Sequence, residues 1–164
     1  MNPRRLQPGE TGLAQTLDLI RRCFAEIDGR IDPPSSMHRL TMPDMERAAL
    51  TGEIWCIGTP ALACITLTPQ PDSLYIGKLA VDPGARRQGL AARLIDVAAQ
   101  RAIALGLTRL RLQTRVELVE NHATFARLGF VETGRTAHMG YDTPTSITME
   151  RPADPGAIYG EKSL

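Results

Sequence analysis

Charge of one sign is what this sequence most lacks. Its 19 lysines and arginines stand against 18 aspartates and glutamates, a formal net charge of +1. So balanced a chain offers no general surface to nucleic acid or to an anionic membrane, and any positive field must be local. Aromatic residues make up 4%, too few for the stacking platforms that hold single-stranded nucleic acid. No apolar run approaches the ~18 residues of a membrane span. Arg4 and Arg5 near the start are not followed by the apolar core of a secretory signal. These absences point to a cytoplasmic, reduced setting with neither nucleic acid nor membrane as partner.

Cysteine is sparse as well. Cys23, Cys56 and Cys64 are odd in number, contain no C-x-x-C pair and each lie within an apolar pattern, so buried thiols are expected. Together with the three histidines they form no ligand spacing, and no metal is expected. G-x-G-x-x-G is missing and no G-K-[ST] follows a glycine loop, which argues against a nucleotide-binding fold. Neither an internal repeat nor a low-complexity tract is present.

What is there is enough for one domain with a proper core: 164 residues, 43% hydrophobic and 23% charged. The spacing predicts a short first strand over Pro3–Gln7. A helix follows through Leu13, Leu17, Ile20 and Phe24, with Thr11 as its cap and Asp28-Gly29 as its stop. Asp28 to Thr41, with Pro33, Pro34, Ser35 and Ser36, is too irregular for a long element. A short helix starts near Pro43, carries Met45, Ala48, Ala49 and Leu50, and ends at Gly52. Ile54–Ile57 and Ala61–Leu67 read as a hairpin around Gly58-Thr59-Pro60.

The chain is organised around Tyr75–Leu105. Tyr75–Val81 alternates as a strand, Asp82-Pro83-Gly84 is a turn signal, and Leu90, Leu94, Val97, Ala98 and Leu105 mark one face of a long helix. Between them lies a basic loop, Ala85-Arg86-Arg87-Gln88-Gly89. The first N–H groups of such a helix have no intrahelical partners, and its dipole adds roughly half a positive charge, so an anion such as a pyrophosphate is favoured there. Gly89 and Ala91 let a phosphate approach the backbone, while Arg86 and Arg87 supply charge. Beyond Gly106, Leu110, Leu112 and Thr114 alternate with Arg109, Arg111, Gln113 and Arg115 as a strand with one basic face. A helix through Asn121 ends at Leu128-Gly129-Phe130, where glycine suits a left-handed cap and Phe130 folds back. Val131–Thr136 and Thr145–Glu150 are two final strands. Residues 1–151 are expected as a single domain and 152–164 as a C-terminal tail. Strands and helices in this arrangement give an α+β class.

Arg86-Arg87-Gln88-Gly89-Leu90-Ala91 resembles the Q/R-x-x-G-x-G/A acyl-CoA motif of the GNAT N-acetyltransferases. Leu79-Ala80-Val81-Asp82-Pro83 resembles that family's L-x-V-x-P strand end, and Glu120-Asn121-His122-Ala123-Thr124-Phe125-Ala126-Arg127-Leu128-Gly129-Phe130 its E-N-x-x-x-Y-x-x-L-G-F helix. The resemblance covers residues 75–135 specifically. It implies a mixed, mostly antiparallel sheet of six to seven strands flanked by about four helices, with a splayed central parallel pair formed by the Leu79 and Leu110 strands. It further implies that acetyl-CoA is the cosubstrate, its pantetheine pairing with backbone at Leu79 and Val81. Arg86, Arg87, Gly89, Leu90 and Ala91 would hold the pyrophosphate, and Asn121 the cofactor arm. The backbone N–H of Val81 would be the oxyanion donor, and the segment Ile27–Leu40 would touch the acceptor.

One departure matters. Phe125 stands where the family commonly has a tyrosine, poised as general acid, and phenylalanine has no proton to give. Phe125 then packs on the pantetheine, and the thiolate leaves unassisted or with a proton from water; a thiol with a pKa of about 8.5 is a tolerable leaving group. Tyr141 is the foremost stand-in acid, with His138 and His122 behind it. No carboxylate occupies the strand before the loop, where Tyr75 and Lys78 stand, so the general base is open among Glu26, Asp28 and Asp44. The expected activity is acetyl transfer to a primary amine of a small molecule or peptide, in a ternary complex. The alternative is a non-catalytic acyl-CoA sensor. A homodimer is compatible with the sequence.

Overall fold

The structure, a computed structural model, describes residues 1–154. The last ten residues of the expected tail therefore lie outside the described residues. Seven strands form a mixed sheet in the order β1-β2-β3-β4-β5-β7-β6. They are β1 (Arg4–Leu6), β2 (Glu53–Ile57), β3 (Ala63–Pro69), β4 (Ser73–Val81), β5 (Arg109–Arg115), β6 (Val131–Thr136) and β7 (Ser146–Pro152). Four helices accompany them: α1 (Gly12–Ala25), α2 (Met42–Thr51), α3 (Leu90–Ala104) and α4 (Val119–Arg127). This is the α+β arrangement expected from the resemblance, its parallel pair being β4 and β5, joined over Ser73–Ile76 and Arg109–Leu112. No helix among the described residues is long and apolar enough to cross a membrane.

Two compact units divide the chain. The first holds residues 1–68 and 77–94. In it β1, β2 and β3 pair antiparallel, Leu6 opposite Ile54 and Cys56 opposite Cys64. Helix α1 presents Leu13, Leu17 and Ile20 at the spacing of one helical face to a core that includes Met45, Ala49, Ile54, Cys64 and Ala80. Truncating a fully buried residue such as Ile20 to alanine typically costs about 2–5 kcal/mol. Thr11 occupies the N-cap position of α1 but makes no side-chain cap bond, and the helix ends at Ala25, before Asp28-Gly29. Helix α2 is the better capped. Thr41 accepts from the Asp44 backbone N–H while the Asp44 carboxylate accepts from the Thr41 N–H, a reciprocal capping box. Leu50, placed by spacing on the apolar face of α2, is instead 75% exposed.

The second unit holds residues 69–76 and 95–164, of which 155–164 are not described. Here β5 pairs with β7 antiparallel along its whole length and β6 closes the edge. Leu110, Leu112 and Thr114 are buried as their alternation requires, and the intervening Arg109 and Arg111 both reach Glu150. Helix α4 ends in a Schellman motif: the Phe130 N–H donates to the Phe125 carbonyl, Gly129 N–H to that of Ala126, and Gly129 has φ +95°. Arg151, buried, locks this end by donating to the Leu128 carbonyl at 3.0 Å with its guanidinium over the Phe130 ring. Strand β7 runs through Pro152, and Ala153 is buried with its N–H on the Thr108 carbonyl.

Candidate functional site

In the first unit, β4 delivers Val81 half-buried to the start of the basic loop, next to the C-terminal third of α1. The Cys23 thiol donates to the Val81 carbonyl at 3.3 Å. Burial pushes that thiol's pKa up, so it is a poor nucleophile. Asp82 then turns the chain, its carboxylate accepting from the Gly84 N–H at 2.9 Å and from Arg22 at 2.7 Å. The Arg22 bond is the main reason the Asp82 carboxyl titrates below its ordinary range. Arg22 also grips Asp18, one turn earlier on α1.

After a short 3₁₀ turn over Pro83–Ala85 the loop bears its arginines. Arg86 pairs with Glu26 at 2.9 Å, the residue that closes α1. Arg87 has φ +66°, the one positive value at a non-glycine residue among those described, and Gly89 has φ +75°. Left-handed backbone outside glycine is costly and collects where a loop is shaped for a purpose. These two left-handed positions lead the chain directly into the N-terminus of α3, where the first N–H groups have no intrahelical partners and the helix dipole favours an anion. A Cβ placed on Gly89 would meet no protein atom within 4 Å, so the space before the loop is open. Leu90 is buried and anchors the helix, while Ala91 is half-buried. Upstream, Leu79 and Lys78 are half-buried, and burial lowers the pKa of the Lys78 ammonium.

The remaining predicted residues belong to the second unit. Asn121 lies in the first turn of α4 rather than capping it, the cap position being Leu118. Phe125, half-buried one turn on, sets its ring edge against Phe130 at 5.8 Å between centroids. Tyr141 sits in the turn between β6 and β7, its N–H on the His138 carbonyl and its ring edge-on to His138 at 6.5 Å. His138 in turn holds the Thr145 hydroxyl at 2.5 Å, and His122 Nε2 meets the Arg115 carbonyl at 2.8 Å. Among the described residues no group of three or more potential ligands could hold a metal ion.

Sequence reasoning missed the ion pairs that tie the loop to α1. Arg22, Glu26 and Asp82 meet their partners across 60 residues of chain, and no local pattern announces such pairs. The left-handed backbone at Arg87 gave no signal either, since arginine is not a residue chosen for it.

A family model described as the acetyltransferase (GNAT) family matches residues 13–130. No curated protein matches the chain in sequence. Among solved structures, an aminoglycoside 6'-acetyltransferase type Ii is similar at TM-score 0.74 and 18% identity, with 94% of this chain and 99% of that one covered. An acetyltransferase from Streptococcus agalactiae gives TM-score 0.72 at 20% identity, covering 92% and 97%. A GNAT family acetyltransferase from Elizabethkingia anophelis, with acetyl-CoA bound, gives 0.65 at 14%, covering 92% and 97%. At these identities the likeness shows the fold.

Proposed function

From the premise that the chain belongs to the GNAT acetyltransferase family, we propose that it moves an acetyl group from acetyl-CoA to a primary amine of a small molecule or peptide. The observation that carries this reading is the loop from Val81 to Ala91, with its left-handed Arg87 and Gly89 opening into α3. Its open N–H groups suit a pyrophosphate, with Arg86 and Arg87 as counter-charges. Acetyl-CoA bound to the Elizabethkingia relative supports the choice of cosubstrate. Asn121 would hold the cofactor arm, Phe125 would pack on the pantetheine, and Leu79 and Val81 would pair with its amides.

In the reaction the neutral amine attacks the thioester carbon, and the carbonyl oxygen becomes anionic against the Val81 N–H. The C–S bond breaks as the amide forms, and Tyr141 or water protonates the thiolate. Transfer is direct. All three cysteine thiols are pushed upward in pKa by burial, which disfavours an acetyl-cysteine intermediate. The aminoglycoside acetyltransferase relative supports including small polyamines among the acceptors tried.

The test is calorimetric titration with acetyl-CoA and CoA, followed by thiol release against a panel of amines. Binding with thiol release is expected. Absence of binding at ~10 µM or above, a range in which many enzymes bind their substrates, would overturn the reading; binding with no turnover would mark a sensor instead.

A further inference from the structure

The reaction needs a group to take the proton of the attacking amine, and β4, bearing Tyr75 and Lys78, offers no carboxylate for it. The three histidines differ in what they touch. His122 meets a backbone carbonyl and His138 a threonine hydroxyl, whereas His38 Nε2 lies 2.5 Å from Asp28 Oδ1. An ionised carboxylate only accepts, so in the neutral ring Nε2 carries the hydrogen and donates it, leaving Nδ1 with a lone pair to receive a proton. Asp28 thus fixes the tautomer and orientation of the ring, as the aspartate of a catalytic triad does.

The pair is held in place. It bridges two short 3₁₀ turns, Asp28–Arg30 and Ser36–Arg39. Ser35 caps the second by accepting from the Met37 N–H, Met37 packs on the core, Leu40 is buried, and Arg21 donates to the Leu40 carbonyl at 2.6 Å. Its position follows from α1. Cys23 touches the Val81 carbonyl and Glu26 holds Arg86. Asp28 is two residues further, within about 7 Å of Glu26 along even a fully extended chain. The dyad thus stands at the end of α1 that meets Val81 and the basic loop.

We propose that His38, oriented by Asp28, is the general base of the acetyl transfer. The proposal rests on the acetyltransferase reading above. His38 Nδ1 takes the proton from the amine nitrogen as the N–C bond forms and the C–S bond breaks. The side chain is 52% exposed, so the ring returns that proton to bulk water, and the thiolate draws its own from Tyr141 or solvent.

The experiment uses the full chain with three probes: kanamycin, spermidine and a methionine-initiated peptide. Calorimetry with acetyl-CoA comes first, and failure of the unaltered protein to bind overturns the site reading itself. With binding in hand, His38→Gln, which keeps a donor toward Asp28, should lower kcat for the best probe by about 100-fold, the low end for general base catalysis. The affinity for acetyl-CoA and the Tm should not change. Asp28→Asn should lower kcat less, by roughly tenfold, as expected for loss of ring orientation alone. Added imidazole should restore part of the rate of His38→Ala, which a merely structural role would not allow. Unchanged kcat in His38→Gln, a loss confined to KM or Tm, or no turnover of any probe despite acetyl-CoA binding would each overturn the assignment.

Discussion

The basic loop at 82–91 and the segment at 28–40 are both irregular and both anchored on α1, yet they are built on different principles. The loop is shaped by its main chain. Asp82 caps Gly84, Arg87 and Gly89 take left-handed backbone, and the chain runs straight into the N-terminus of α3. The segment is shaped by side chains: Ser35 caps a turn, Asp28 holds His38, and Arg21 reaches the Leu40 carbonyl. A loop that binds through backbone restricts which residues can form it and therefore carries a motif. A segment that works through side chains is free to vary with its substrate, and carries none.

That contrast can be broken, and the largest effect is expected from Gly89→Glu. It puts bulk and negative charge at a left-handed position before the helix, and CoA affinity should fall by at least ~100-fold, as loss of several charge-assisted hydrogen bonds would produce. Unchanged calorimetric affinity would remove the loop from cofactor binding. Next comes Tyr141→Phe. It should lower turnover roughly tenfold, with CoA affinity intact, if its hydroxyl protonates the thiolate; equal rates would leave water as the acid.

Glu26→Gln probes the link between the two regions. If Arg86 holds phosphate as proposed, Glu26 would compete for it, and neutralising Glu26 should tighten CoA binding by about threefold, the scale of an exposed ion pair. Weaker binding would mean that Glu26 positions Arg86 instead. The smallest effect belongs to the capping box where the segment enters α2. Thr41→Ala should lower Tm by a few degrees, about what one lost cap costs.

The pH dependence follows from the same cap. The Asp44 carboxyl sits below its ordinary range, chiefly through the Thr41 backbone N–H. Its contribution to stability is therefore present above the unfolded value, about pH 4, and is lost as pH falls through the lower folded value. The Tm difference between Asp44→Asn and the unaltered chain should shrink as the solution is acidified below pH ~4. A constant difference would show that Asp44 acts by packing.

Much of this architecture was legible. Period-2 alternation located β4 and β5, Gly129 announced the cap of α4, and Arg86-x-x-Gly89-x-Ala91 carried the loop, because in each case the signal and its consequence lie within a few residues of one another. What escaped is tertiary. Leu50 has helical spacing but faces solvent, because the core beneath α2 is filled by Met45 and Ala49. Asp28 and His38 are ten residues apart across two prolines, and only the folding of two 3₁₀ turns brings them together.

The ion pairs around the loop bear also on how fast an anion arrives. Arg22 is matched by Asp82 and Asp18, and Arg86 by Glu26, leaving Arg87 as the loop's arginine without an ion pair among the described residues. So nearly neutral a surface projects little field beyond a Debye length of about 8–10 Å. Phosphate groups would meet it at ordinary diffusive rates with shallow salt dependence. Tight holding would then be expressed in slow departure, once the main-chain donors have closed on them.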